Sequence, residues 1–310
     1  VRRLPSRRGL LLGAASTALA ASLGGCDRLG NEDWFPRTLD TGEDANLFVQ
    51  RLLLREATLA PEYTAAEISP WFKPNGTESP PDRAYKALAR RGFRDFHLVV
   101  DGLVDHPLKL SLAELRALPS RTQITRHDCV EGWSCIGGWT GVPLSELLQR
   151  AGLKPQARYI VFHCADTMEG GEADSAGDGE SDDVGGSEQA NPNMTKRSGN
   201  AEDKRDTNGP SDAEDNPPKR TSPSSEPVRY YESIDLVDAY HPQTILAYAM
   251  NGQPLPVAHG APLRLRLERQ LGYKQAKYVM HIEVVESYTA IGRGQGGYWE
   301  DQGYAWYAGI

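Results

Sequence analysis

Apolar residues along this chain fall into short runs set off by turn residues, and few runs are long enough for a helix of more than three turns. FHLVVDGLV is a β-branched run broken by Asp101-Gly102, a dipeptide that suits a tight hairpin turn. In LSLAELRALP, Ser111 is placed to cap a short amphipathic helix, with Glu114 at its third position in capping-box spacing. ITRHDCVEGWS predicts a strand running into a loop, VPLSELLQRAGL a capped helix closed by Gly152, and RYIVFHCAD a short buried strand. Further on, the pattern predicts a helix around Leu236–Ala239, a strand near Ile245–Met250 and a hairpin turn at Asn251-Gly252. APLRLRLER and AKYVMHIEVVES alternate as strands do, and GRGQGGYWEDQGYAWYAGI reads as an aromatic and glycine coil. Ahead of these lies one helical stretch near Ala45–Ala57, with Pro-rich turns such as SPWFKPNG and ESPP. Short strands separated by turns, with a few helices, predict an α+β domain dominated by mixed sheet; no internal repeat is visible.

Charge changes this picture in one place. The chain has 310 residues, a net charge of -8 and a low mean hydropathy of -0.53. Residues 169–227 carry 15 acidic and 6 basic side chains, a net of -9, so the remainder is close to +1. Val184 and Met194 are the only residues larger than Ala among the apolar ones of that stretch. A segment so poor in apolar surface cannot offset its ordering entropy, and it is expected to be a disordered acidic insert in a surface loop. No basic stripe or nucleic-acid motif occurs outside it, which excludes nucleic acid as a partner on this reading.

The start of the chain is expected to be a targeting segment, residues 1–30. Arg7 and Arg8 precede a Leu/Ala/Gly run, a pattern like a twin-arginine export signal, and LGGC resembles a lipobox that would make Cys26 a lipidated N-terminus. The expected location is periplasmic, with membrane anchoring through Cys26. Residues 31–94 form an N-terminal extension, and 95–310 form the folded domain. Export leaves at most Cys129, Cys135 and Cys164 with the folded protein, an odd number for an oxidising compartment.

Two clusters could carry chemistry. Cys129 has polar neighbours in Arg126, His127, Asp128 and Glu131, which suit a functional loop better than a core. Taken alone it remains open as a buried thiol, half of a disulfide with Cys135, a nucleophile served by His127, His163 or His241, or a metal ligand. There is no CxxC and no HExxH, so a four-ligand zinc site lacks its spacing. The second cluster is HGAPLRLR with GYKQAKY, which holds His259, Arg264, Arg266, Lys274 and Lys277. Arg264 and Arg266 would share one face of a strand, and with the two lysines they make a plausible phosphate pocket.

Taken in order, VVDGLVDHPLKLSLAELRALP, TRHDCVEGWSCIGGWTGVPLSELL, YYESIDLVDAYHPQTILAYAMNGQPLP, HGAPLRLR and GYKQAKYVMHIEVVE resemble the sulfite oxidase family of molybdopterin enzymes, over roughly residues 95–290 apart from the insert. DCVE and the W-S after it look most like the bacterial periplasmic branch that reduces protein-bound methionine sulfoxide. The Cys-Ala-Gly-Asn-Arg loop of animal and plant sulfite oxidases is absent here. The heme-binding domain of the animal enzymes and the C-terminal immunoglobulin-like dimerisation domain are likewise not expected here.

The resemblance implies a sulfite oxidase-type mixed-sheet fold holding molybdenum on the two sulfurs of one pterin dithiolene, with Cys129 as the protein's thiolate, a soft ligand suited to such a metal. It implies that His259, Arg264, Lys274 and Lys277 hold the pterin phosphate and tail, and that Arg126, Ser134 and Asn75 also reach the cofactor. Glu131 and Trp133 would lie by the metal loop, and Tyr230 or Tyr231 at the oxo face. The expected function is oxygen-atom transfer at the metal, cycling between Mo(VI) and Mo(IV), with reduction of a sulfoxide or similar oxide favoured because no Asn-Arg follows the cysteine. The alternatives are a sulfite dehydrogenase, a non-catalytic pterin-binding protein and a thiol enzyme. No CxxCH occurs, so electrons would come from a separate cytochrome or membrane partner.

Overall fold

The computed structural model describes residues 34–53, 58–168 and 228–310. The expected signal segment, the lipobox at Cys26 and the acidic insert at 169–227 lie outside the described residues. The insert's attachment points are defined, however: strand β5 (Tyr159–Met168) and strand β6 (Val228–Asp235) pair antiparallel, with Met168 opposite Val228. A connection between two adjacent strands can lengthen without changing their register, since loop-closure cost grows only slowly with length.

Two five-stranded sheets form the body. The first has the order β2-β1-β10-β5-β6, built from β1 (His97–Gly102), β2 (Leu108–Ser111) and β10 (Val279–Val285) with β5 and β6. It is mixed, because β1 and β10 run parallel while every other pair is antiparallel. Leu98, Val100, Ile160, Phe162, Ile282 and Val284 alternate onto its buried face, the period-2 pattern written in the sequence. The second sheet runs β3 (Arg121–Asp128), β4 (Ser134–Pro143), β7 (Ile245–Met250) and β8 (Gln253–Pro254), with β9 (Arg264–Arg266) also pairing β7, all antiparallel.

Five helices accompany the sheets among the described residues: α1 (Trp34–Leu53), α2 (Arg83–Arg90), α3 (Leu112–Ala117), α4 (Leu144–Ala151) and α5 (Leu236–Ala239). The capping box before α3 forms as expected. The Glu114 carboxylate accepts from the Ser111 N–H at 2.7 Å, and the Glu114 N–H donates to Ser111 Oγ at 3.2 Å. Helix α1 begins a full three turns before the expected stretch, and residues 54–57 of that stretch are not described. Its inward contacts are polar. Arg51 pairs with Asp235 and Asp238, Glu43 accepts from the Tyr307 N–H, and Phe48, Leu52 and Leu53 are left exposed.

Asp101-Gly102 is not the hairpin turn. Both residues stay in β1, paired with Glu283 and Val284, and the β1–β2 connection falls at 103–107. Gly102 has φ 85°, and a side chain there would run into the Val284 backbone, so the glycine serves a close approach of strands. Asn251 (φ 50°) and Gly252 (φ 75°) do form the predicted two-residue turn, joining β7 to β8.

Candidate active site

Strand β3 inverts the usual rule for a half-buried strand. Its buried positions are Gln123, Thr125 and His127, whereas Arg126 faces outward. The reason lies in β9, where Arg264 and Arg266 are both fully buried. Their guanidinium carbons sit 5.2 and 4.3 Å from the ring centroid of Trp139 on β4. The shared face predicted for the two arginines is therefore real, and the surface it meets is an indole, whose face attracts cations. Arg266 is neutralised by Glu268 at 2.6 Å and donates to His127 Nδ1 at 3.2 Å and Thr125 Oγ1 at 3.4 Å. Gln123 in turn donates to Glu268 at 2.8 Å. Polar side chains belong on this buried face because a buried charge needs them.

This framework ends at a cleft. Residues 129–133 make the tight turn between β3 and β4, closed by Cys129 N–H to Trp133 O at 3.0 Å and Gly132 N–H to Cys129 O at 3.1 Å. Cys129 is half-buried there and carries a free thiol, as do Cys135 and Cys164. The Cys129–Cys135 disulfide considered from sequence is not formed. The cleft has about 730 Å³ of space, counting its mouth, and Cys129, Asn75, Asp166, Tyr230 and Lys277 are among its walls. Residues 69–77 cross it as a strap: Phe72 packs against His127, Trp133, Trp139 and His259, and Asn75 Oδ1 accepts from Arg264 Nη2 at 3.1 Å. The Lys277 ammonium donates to the carbonyls of Thr77 and Ala258.

Burial sets the electrostatics. It raises the Cys129 thiol above its ordinary range, while the Glu131 backbone N–H opposes the rise, the Glu131 carboxylate adds to it and Lys73 opposes it. Burial and the neighbouring Arg264 bring Lys277 down to about 7, and burial brings Asp166 up to about 7 against the pull of Lys277. His259 falls to about 4 through burial and Arg264, Arg264 itself to about 9 through burial and Arg266, and His127 well below its usual value through burial and the two arginines. His127 Nδ1 lies 3.2 Å from the Arg266 guanidinium and 3.4 Å from Gln275 Oε1, so both contacts of the ring fall on that nitrogen and not on Nε2. That Nε2, His259 Nδ1, Arg264 Nε and Asp166 Oδ1 are all buried without a partner among the described residues.

Cys129, Glu131, Tyr230, Lys277 and Asn75 of the foreseen residues line the cleft together. Arg264 and His259 stand directly behind Asn75, and Trp133 donates to Glu131 at 2.8 Å. Four others are elsewhere. Arg126 projects from the opposite face of β3, more than half exposed, and pairs with Asp128 at 2.9 Å. Ser134 donates to Asp128 across the first β3–β4 pair at 2.5 Å, tying the turn shut rather than facing the cleft. Tyr231 is one residue on from Tyr230 and so points to the other face, donating to Asp301 at 2.6 Å. Lys274 is fully buried between Glu232 and Glu300, the latter at 2.5 Å, and also donates to the Ser233 carbonyl; its ammonium is consumed by internal carboxylates and is not available to a phosphate.

Sequence reasoning missed Lys73, Phe72, Thr77, Asp166 and Gly272. Gly272 had the clearest signal, a Gly beside the lysine cluster: a Cβ there would lie 2.5 Å from the His127 ring. The histidines do not serve a nucleophile. His127 is neutral and turned to Arg266, His163 pairs with Glu283 at 2.9 Å on β5 and β10, and His241 Nε2 meets the Thr58 carbonyl. With its thiol raised rather than lowered, Cys129 lacks the features of a catalytic thiolate.

A family described as "Oxidoreductase molybdopterin binding domain" matches residues 86–180 and 215–290. An Azospira oryzae chain named "Putative protein-methionine-sulfoxide reductase subunit YedZ1" is 32% identical over 306 residues, covering 99% of this chain and 88% of its own. The protein-methionine-sulfoxide reductase catalytic subunit MsrP of Xanthomonas axonopodis pv. citri is 30% identical over 207 residues, which cover 66% of this chain and 49% of that one. This chain therefore spans about half the length of that relative. Among solved structures, the sulfane dehydrogenase SoxCD from Paracoccus pantotrophus superposes with a TM-score of 0.40 at 19% identity, over 63% of this chain and 39% of that one.

Proposed function

This chain belongs to the molybdopterin-binding oxidoreductase family and is an enzyme of molybdenum and molybdopterin, and from that premise we propose that it reduces a neutral sulfoxide, methionine sulfoxide in a polypeptide being the substrate class. The relatives' names support that class. The cleft supports the cofactor: a half-buried free thiol and the Lys277 ammonium share its walls, the buried Arg264 stands behind Asn75, and buried polar atoms of Asp166 in the wall and of His127, His259 and Arg264 lack partners among the described residues. Cys129 would be the thiolate ligand, and Asn75, His259, Arg264 and Lys277 would hold the pterin and its phosphate. The partnerless Arg264 Nε–H and the partnerless His127 Nε2 are suited to such a group. When bound, the group supplies two-electron oxygen-atom transfer.

The observation that carries the direction is charge at the mouth. Lys73 lies there paired with Glu131 at 3.4 Å, and Arg126 turns away. Holding an oxyanion such as sulfite asks for free cations, arginine above all. A mouth whose cation is already neutralised suits an uncharged oxide. Glu131 and Trp133 would orient the substrate, Tyr230 would wall the cleft, and Phe72 would exclude water behind the strap. Electrons would arrive from a separate cytochrome or membrane partner. The start of the chain, Arg7-Arg8 through Cys26, supports export to the periplasm and anchoring through a lipidated Cys26. The test is turnover of methionine sulfoxide with reduced viologen beside turnover of sulfite with an artificial acceptor, plus metal and pterin analysis of the protein and its Cys129→Ser variant. Sulfoxide turnover that disappears in Cys129→Ser is expected. Turnover of sulfite alone refutes the reading, and a protein without molybdenum makes it a pterin-binding protein.

A further inference from the structure

Lys73, Glu131 and Trp133 form a closed cluster at the mouth beside Cys129. One carboxylate oxygen, Glu131 Oε2, receives both the Trp133 indole N–H at 2.8 Å and the Lys73 ammonium at 3.4 Å, and that ammonium lies 5.5 Å from the Trp133 ring centroid. Glu131 lines the cleft itself, whereas Lys73, on the strap, approaches it through that carboxylate and the Trp133 ring. We propose that Glu131 is a specificity-determining residue: it cancels the charge of Lys73 and so keeps sulfite, sulfate and similar oxyanions out of a site that takes neutral oxides.

The inference rests on the reductive reading for its biological sense, although the charge argument stands on the geometry alone. Lys73 is roughly half exposed, so solvent weakens its field without removing it. With Glu131 in place the cluster presents no net charge to a ligand at the thiol. With Glu131→Gln the two acceptor contacts can persist, since an amide oxygen accepts as a carboxylate does, but the mouth gains a full positive charge. A charge about 6 Å from a ligand, at an effective dielectric of about 60, between surface and bulk water as suits a half-exposed ammonium, changes binding by about fivefold per ligand charge, so by about 20-fold for a dianion. A neutral sulfoxide should change little.

The experiment uses molybdenum-loaded protein and sulfate, an unreactive dianion, with binding measured by calorimetry at low ionic strength. E131Q is expected to bind sulfate about 20-fold more tightly than the unaltered protein, K73M/E131Q to return to the starting affinity, and added salt to erase the gain. An E131Q affinity within threefold of the starting value overturns the proposal, and so does K73M/E131Q binding as tightly as E131Q. If E131Q does not load molybdenum, K73M alone decides: sulfate affinity should fall about 20-fold, and an unchanged value overturns the assignment. Sulfate binding involves no turnover. Failure of the reductive reading would instead appear as absent sulfoxide turnover in the unaltered protein, so the two failures are told apart.

Discussion

Replacing Asp166 by Asn should change the pH dependence of stability in a defined direction. Asp166 lies in β5 with its carboxyl 5% exposed, its Oδ1 has no partner, and burial holds it up at about 7, against an ordinary value of 3.8. A carboxyl raised in the folded state favours folding while protonated. That contribution is fully present below the unfolded value, near pH 4, and is lost as pH rises through about 7. Three pH units at about 1.4 kcal/mol each set an upper bound of about 4 kcal/mol, in which the pull of the Lys277 ammonium is already included, and local relaxation at the cleft wall would reduce it to about 2 kcal/mol. The groups facing Asp166 are Lys277, Tyr85, Tyr230, Tyr278 and Cys164, and only Lys277 titrates near that window. His127 and His259, depressed in the folded state, give the opposite slope by losing stability as pH falls below their unfolded values; they are common to both proteins and cancel in the difference. Urea unfolding of both proteins between pH 4 and 8, with linear extrapolation, reads the effect. Asp166→Asn should match the unaltered protein near pH 4 and exceed it by about 2 to 4 kcal/mol at pH 8. A difference that does not vary with pH would refute the reasoning, because it would mean that Asp166 ionises without cost in the fold.

Two further outcomes follow from the site. Arg126→Ala should leave molybdenum content and sulfoxide turnover within about twofold and cost no more than about 1 kcal/mol in unfolding, since it removes an exposed pair; a large loss of cofactor would return Arg126 to the site. Gly272→Ala should cost about 1 to 3 kcal/mol by thermal unfolding and lower the molybdenum content, because its methyl group meets the buried His127 ring, and unchanged values would show that the ring moves freely.

How much was legible in the sequence varies with the range of the forces involved. Helix α5, strand β7, the capping box at Ser111 and the Asn251-Gly252 turn are set by local hydrogen bonds and backbone preferences, and they stand where the residues predict. Asp101-Gly102 carries the same local signal but lies within a strand, because pairing with Val284 on β10, far along the chain, outweighs it. The candidate site divides in the same way. Cys129 and Glu131 could be singled out because their loop is contiguous, and the alternation that places Arg264 beside Arg266 is a property of any strand. Whether a lysine faces a cleft or a pair of carboxylates depends on residues that sequence does not place near it. Lys274 and Lys277 are three residues apart and look equivalent, yet Glu232 and Glu300 claim the first and leave the second at the cleft.

The sequence by itself determined most of the elements, the family and the cysteine loop, since each is written in neighbouring residues or in their order. Only the tertiary structure decided which polar and charged groups remain free. Arg126 and Ser134 spend theirs on Asp128, Tyr231 on Asp301, and Lys73, from a strap 58 residues before its partner, is cancelled by Glu131. Charge at a site is a sum over everything packed around it, and that sum exists only once the chain has folded.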